Sequence, residues 1–205
     1  MRIALATNNQ GKISELTSLL KLWSIEVVPL RAYTERAPAE TGSSFVENAI
    51  LKARFAAQAS GLPAIADDSG LQVDALNGAP GIYSARYAGL GASDEENLQK
   101  LLAELSGVNA PLRTARYQCA LVYMRSADDS SPLICQSSWR GSIRTQPQGT
   151  GGFGYDPIFE IEGGQAITAA QLSPEEKNRI SHRGQALQCL MKLLRSEGIV
   201  RTSPP

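Results

Sequence analysis

The chain has 205 residues, 42% of them hydrophobic and 20% charged, values of a globular protein with one sizeable core and no low-complexity tract. Lys plus Arg equals Asp plus Glu, so the formal net charge is zero. That balance argues against a nucleic-acid polymer as the main partner, while a few local cations would still suffice for a small phosphate ligand.

Ile3–Ala6 reads as a first strand, followed by the polar turn Thr7-Asn8-Asn9-Gln10-Gly11-Lys12. Ile13, Leu16, Leu19, Leu20 and Trp23 then recur at helical spacing and predict a helix to about Leu22. Ile25–Leu30 looks like a second strand, parallel to the first because a helix connects them. Pro38 interrupts a polar segment, Arg36–Gly42, and Ser44-Phe-Val-Glu47 predicts a capping box opening a long helix that ends near Ser60-Gly61. Pro63–Ala66 is a short apolar strand that should stop at Asp67-Asp68-Ser69-Gly70. A turn at Gly78–Gly81 and a helix capped by Ser93-Asp-Glu-Glu96 follow. Thr114–Arg125 and Leu133–Arg144 predict a long antiparallel hairpin. Gly149–Gly154 is too glycine-rich for regular structure. Ser173-Pro-Glu-Glu176 carries a cap, a proline at the first helical position and a glutamate at the third. A last helix is expected over Ser181–Ser196, burying Ala186, Leu187, Leu190, Met191 and Leu194, with 202–205 frayed. No repeat or linker is visible, so a single mixed α/β domain over 1–205 is expected.

Cys119, Cys135 and Cys189 are odd in number, far apart and set among apolar residues. Neither disulfide nor metal spacing is present, so buried thiols in a reducing compartment are expected. The run at Ile3–Ala6 is too short for a signal peptide, and nothing approaches the roughly 20 apolar residues of a membrane span. A soluble, cytoplasmic protein with no membrane partner is expected.

Chemistry concentrates at a few places. Asp67 and Asp68 follow a buried strand, and alternation sends them to opposite faces, so each needs its own partner. Carboxylates in that position suit Mg²⁺, a hard cation that takes oxygen ligands; a capped turn at a strand end is the plainer alternative. Two nearby carboxylates repel, which raises one pKa and suits a base, but which of the two acts stays open. Thr7–Lys12 is a phosphate-site candidate, because helix N-terminal amides favour an anion and Lys12 adds a mobile charge; an ordinary polar turn would look the same. Glu40, in an irregular loop, is the better candidate for a second metal ligand, since Glu47 has a capping position to fill. Phe153 could stack on a flat ligand or anchor a small core, and Asp156 could bind or initiate a turn. His182 is the only histidine, which excludes clustered-histidine zinc sites. With Lys177 and Arg183 it could line a ligand pocket or a solvated helix end. Arg86 could contact a ligand or brace the loop behind Asp68.

Several stretches together resemble the inosine triphosphate pyrophosphatase family, the XTP/dITP diphosphatases. They are Leu5-Ala-Thr-Asn-Asn-Gln-Gly-Lys12, Ser44-Phe-Val-Glu-Asn-Ala49 and Ala66-Asp-Asp-Ser-Gly-Leu-Gln-Val-Asp-Ala-Leu76, then Pro80-Gly-Ile-Tyr-Ser-Ala-Arg-Tyr-Ala88, Gly151-Gly-Phe-Gly-Tyr-Asp-Pro157 and Ser181-His-Arg183. They fall in family order across nearly the whole chain. The resemblance implies an elongated α/β fold, a mixed central sheet flanked by helices, with two lobes and a cleft between them, usually as a homodimer. It implies Mg²⁺-dependent hydrolysis of ITP, dITP and XTP to the monophosphate and pyrophosphate. By matching position, Thr7, Asn8, Asn9, Gln10, Gly11 and Lys12 would bind the triphosphate, and Ser69 would also contact substrate. Asp68 would be the catalytic, metal-associated carboxylate, with the family's metal-binding glutamate near Glu40. Phe153, Gly154, Tyr155, Asp156, Lys177, His182 and Arg183 would hold the base.

Overall fold

In the computed structural model, residues 1–164 and 166–200 are described; the fraying expected at 202–205 lies outside them. Six strands form one sheet: β1 (Arg2–Leu5), β2 (Glu26–Pro29), β3 (Ala64–Val73), β4 (Thr114–Met124), β5 (Leu133–Ile143) and β6 (Phe159–Ile161), in the order β2-β1-β3-β4-β5-β6. Five α-helices flank it: α1 (Gln10–Lys21), α2 (Phe45–Ser60), α3 (Asp94–Glu104), α4 (Pro174–Ile180) and α5 (His182–Ser196). The mixed α/β architecture is as expected. Among the described residues no helix is long and apolar enough to cross a membrane.

The described residues fold into two compact units, one of residues 1–68, 119–137 and 183–200, the other of residues 69–118, 138–164 and 166–182. In the first unit, β1 runs parallel to β2, Ile3 opposite Val27, and parallel to β3, Leu5 opposite Ile65. Alternation then sorts the core. Ile3, Leu5, Ile65, Cys119, Leu121 and Tyr123 pack with Leu16 and Leu20 of α1 and with Ala186, Leu187, Leu190 and Leu194 of α5. Ala4, Ala6, Ala64, Ala66, Ala120 and Val122 pack with Ala49, Ala53, Ala56 and Ala57 of α2. Small side chains dominate that side, which suits close packing of α2 on the strands.

The second unit is built on larger side chains. Leu71 and Val73 of β3, Ala115 and Tyr117 of β4, Trp139 and Ile143 of β5 and Phe159 and Ile161 of β6 meet Leu98 and Leu101 of α3. β5 and β6 are antiparallel, with Gly141 opposite Ile161. A Cβ at Gly141 would run into the Glu160 carbonyl, so this closing pair of strands requires glycine there.

Several local expectations change. β3 continues to Val73 instead of stopping at the acidic pair, because both carboxylates find cations and the backbone ladder need not break. α1 begins at Gln10, so Gln10, Gly11 and Lys12 form its first turn rather than a loop. Ser44 caps α2 as expected, but the Glu47 carboxylate accepts from the N–H and hydroxyl of Ser43, one residue beyond the capping-box partner. Ser93–Glu96 and Ser173–Glu176 are full capping boxes. The thiols are not all buried: Cys119 and Cys135 are, Cys189 is exposed, and the Cys135 and Cys189 sulfurs lie 2.7 Å apart.

Candidate active site

β3 carries the central pair of the first unit. Asp67 continues the face that begins with Ile65, toward α1 and α5; Asp68 continues the face of Ala64 and Ala66, toward α2. Their environments differ sharply as a result.

Asp67 is fully buried and saturated. Its Oδ1 pairs with the Lys12 ammonium, and its Oδ2 accepts from Arg183 Nε at 3.2 Å and from the Cys119 thiol at 3.1 Å. Arg183, only 2% exposed, also pairs through Nη1 with Glu15. Burial alone would raise the Asp67 pKa, but the Arg183 and Lys12 charges outweigh it and hold the carboxyl well below its ordinary value. Burial likewise opposes the Arg183 charge, and Asp67 with Glu15 overcomes it, so the guanidinium is held more firmly protonated than usual.

Asp68 pairs with a lysine on the other side of β3. Lys52 of α2 donates to its Oδ1 at 2.5 Å and to Glu40 Oε1 at 3.2 Å. The other oxygen, Oδ2, is buried with no hydrogen-bond partner among the described residues. Burial pushes the Asp68 pKa up despite the neighbouring ammonium. Lys52 is itself desolvated, yet Asp68 foremost, with Asp67 and Glu40, keeps its pKa above the ordinary lysine value. Two carboxylates share the Lys52 ammonium in this corner, and one of them keeps an orphaned oxygen.

The orphaned Asp68 oxygen bears on a metal. Among the described residues no group of three or more His, Cys, Asp or Glu side chains could hold an ion by itself. Mg²⁺ seldom asks for such a cage; it commonly takes one or two carboxylates and completes its shell with phosphate and water oxygens. Asp68 and Glu40 fit that donor set.

At the start of α1 two of the expected phosphate-binding side chains, Thr7 and Asn9, bond to backbone of the turn itself. Asn9 Oδ1 accepts from the Lys12 N–H at 3.0 Å, and Thr7 Oγ1 accepts from the Asn9 N–H at 3.2 Å. Lys12 is not a mobile charge, since Asp67 anchors it; of its three donors, that ion pair occupies one side. Asn8 and Gln10 are exposed, and Thr7 and Gly11 are half-buried.

The second unit carries the aromatic group. Asp156 is buried and accepts from Lys177 Nζ at 2.5 Å and the Phe153 N–H at 2.9 Å through Oδ2, and from the Tyr117 hydroxyl at 3.2 Å through Oδ1. Gly152 has φ +71°, and a Cβ there would collide with the Asp156 carboxylate, so the glycine run is shaped around that acid. Lys177 Nζ sits 4.5 Å from the centroid of the half-buried Phe153 ring. Gly154 donates its N–H to Asp94 Oδ2 at 2.7 Å. The Tyr155 side chain turns into the core, with its hydroxyl on the Ser84 carbonyl at 2.9 Å. His182 lies in an aromatic stack, its ring 4.7 Å from Tyr117 at an interplanar angle of 8° and 6.3 Å from Trp139. Ser69 is half-buried on β3. Arg86 lies over the Tyr83 ring, 5.3 Å from its centroid.

Sequence reasoning missed Lys52, Glu15, Cys119, Tyr117 and Trp139. Only Lys52 left a clear trace: it interrupts the apolar stripe Ala49, Ala53, Ala56, where a lysine must either be exposed or find an acid.

Comparison with known proteins identifies the family. The Ham1 family model matches residues 3–193. A dITP/XTP pyrophosphatase of Shigella flexneri is 56% identical over 195 residues, covering 95% of this chain and 98% of that protein. One of Thioalkalivibrio sulfidiphilus is 57% identical over 194 residues, with 95% and 98% covered. The solved structure of a HAM1 protein from Coxiella burnetii superposes with a TM-score of 0.86 at 47% identity, covering 96% of this chain and 99% of that one. From sequence motif to sheet order to relatives across almost its whole length, the chain belongs to the Ham1 family.

Proposed function

We propose that this chain hydrolyses non-canonical purine nucleoside triphosphates, among them dITP, XTP and ITP, to the monophosphate and pyrophosphate, with Mg²⁺ as cofactor. Its relatives bear the name dITP/XTP pyrophosphatase. The single observation that carries the reading is the division of labour on β3. Asp67 is locked as an anion by Lys12 and Arg183, whereas Asp68 keeps a buried, unpartnered oxygen and a raised pKa.

In this reading Asp68 is the base that orients and deprotonates the attacking water, and Asp67 is the post that aims Lys12 at the phosphates. Lys52 keeps Asp68 in place and ionised, and shares the negative charge of Glu40. Asp68 and Glu40 would hold Mg²⁺, which supplies charge neutralisation on phosphate oxygens when bound. Thr7, Asn8, Asn9, Gln10 and Gly11 would bind the phosphates, and by family likeness Ser69 would also contact substrate.

Base recognition belongs to the second unit. Phe153 offers a ring for stacking, and Asp156 fixes the Lys177 ammonium beside it as a donor. Hypoxanthine and xanthine carry an accepting carbonyl at the six-position, whereas adenine carries an amino donor. A donor facing the wrong group is left unpaired, a mismatch worth discrimination of about 10⁴-fold. His182, buried in its stack on Tyr117, supports the base group from within, whereas Arg183 is tied to Glu15 and Asp67 of the first unit. A homodimer acting in the cytoplasm remains part of the proposal by family likeness.

The test is a panel of triphosphates incubated with Mg²⁺, scoring monophosphate and pyrophosphate. Turnover of dITP, XTP and ITP well above ATP supports the reading. Release of inorganic phosphate instead, or tight binding without turnover, contradicts it.

A further inference from the structure

We propose that Cys135 and Cys189 are an oxidisable pair that closes into a reversible disulfide within one chain when it meets a peroxide. The pair lies in the first unit, away from the carboxylates, and rests on no assumption about the substrate. Cys135 is on β5 and Cys189 on α5, 54 positions apart, yet their sulfurs lie 2.7 Å apart. A disulfide bond is about 2.05 Å long, so about 0.7 Å of approach, within the reach of side-chain rotation, closes it.

Accessibility divides the roles. Cys189 is exposed, whereas Cys135 is buried in the apolar cluster with Leu187, Leu190 and Met191. Peroxide therefore reaches Cys189 first. The Cys189 sulfur attacks one peroxide oxygen, the O–O bond breaks, and the second oxygen leaves as water, giving a sulfenic acid. The Cys135 sulfur then attacks the Cys189 sulfur. The S–S bond forms, the S–O bond breaks, and the hydroxide leaves with the Cys135 proton as a second water. In total two thiols and one peroxide give one disulfide and two waters, with two electrons passing from sulfur to oxygen. Burial, with the adjacent Cys189, raises the Cys135 thiol, so it is a poor first target and a well-placed second partner.

Cys119 is a built-in control. It is buried, donates to Asp67, and its thiol is raised well above the ordinary value by burial first and by the Asp67 charge second. It should stay reduced. The bond would tie α5, which carries Arg183, to β5, so oxidation would brace the helix that supplies one of the cations of Asp67.

The experiment treats the full chain with hydrogen peroxide, denatures it, alkylates free thiols with iodoacetamide and maps the peptides. The chain has three cysteines. The expected result is a fall from three alkylated thiols to one, Cys119, with the Cys135 and Cys189 peptides joined and dithiothreitol restoring all three. Cys119→Ser should leave the link intact, and Cys189→Ser should abolish it while Cys135 stays alkylated. Three alkylated thiols after peroxide would overturn the proposal. So would sulfinic or sulfonic acid at Cys189 beside an alkylated Cys135, or a link between two chains.

Discussion

Asp67 and Asp68 are neighbours in sequence, identical in chemistry and both buried, yet one strand residue of rotation gives them opposite fates. The face of β3 that Asp67 shares with Ile65 meets α1 and α5, which bring Lys12 and Arg183. The face that Asp68 shares with Ala66 meets α2, which brings Lys52 alone, itself shared with Glu40. A buried acid with matched cations is a strut, whereas one with an unpartnered oxygen is a place for chemistry. Two groups of the same kind are thereby set apart by their surroundings, one firmly ionised and one poised.

The largest effect should come from breaking the strut. Asp67→Asn leaves Lys12 and Arg183 without their anion in a buried site, and the expected loss of stability is about 3–5 kcal/mol by chemical denaturation. The acid limb sharpens the same point. Because the native Asp67 pKa is depressed, its stabilisation is complete above the unfolded aspartate value of about 3.9 and disappears as pH falls through the lower native value. A stability–pH curve of the Asn variant should therefore be flatter below about pH 4 than that of the parent. An equally steep curve would move the acid sensitivity to other carboxylates.

A smaller effect is expected in the second unit. Tyr117→Phe removes the hydroxyl that donates to Asp156 while keeping the ring stacked on His182. At about 1.5–3 kcal/mol for a hydrogen bond to a charged group, KM should rise roughly 10- to 150-fold with kcat little changed. A fall in kcat at constant KM would place Tyr117 in the chemical step. Smallest is Asn9→Ala, which removes the cap of α1 and should cost about 1 kcal/mol of stability. No measurable change would mean that Thr7 or water replaces the cap.

Much of this was legible in the chain. The helical spacing of Leu16, Leu19 and Leu20 and the caps at Ser93 and Ser173 announce α1, α3 and α4, because these signals are local. The extent of β3 was not legible: an acidic pair reads as a strand end unless the cations that neutralise it are known, and these come from α1, α2 and α5. Tyr117 and Trp139 looked like ordinary alternating strand residues, and their stack with His182 exists only after β4, β5 and the start of α5 are brought together. Cys135 and Cys189 failed to pair on paper for the same reason. The motif residues around Asp68 and Phe153 were visible, but the inward turn of Tyr155 was not, since a tyrosine beside a glycine loop suits either place.

The most direct test compares Asp68→Asn with Asp67→Asn on the same dITP substrate with Mg²⁺, measuring turnover and stability together. The account predicts that the Asp68 variant loses about 10²–10⁴-fold in turnover with its fold largely intact, as expected for removal of a general base. The Asp67 variant should instead lose most in stability. Near-normal turnover in a folded Asp68→Asn chain would contradict the account.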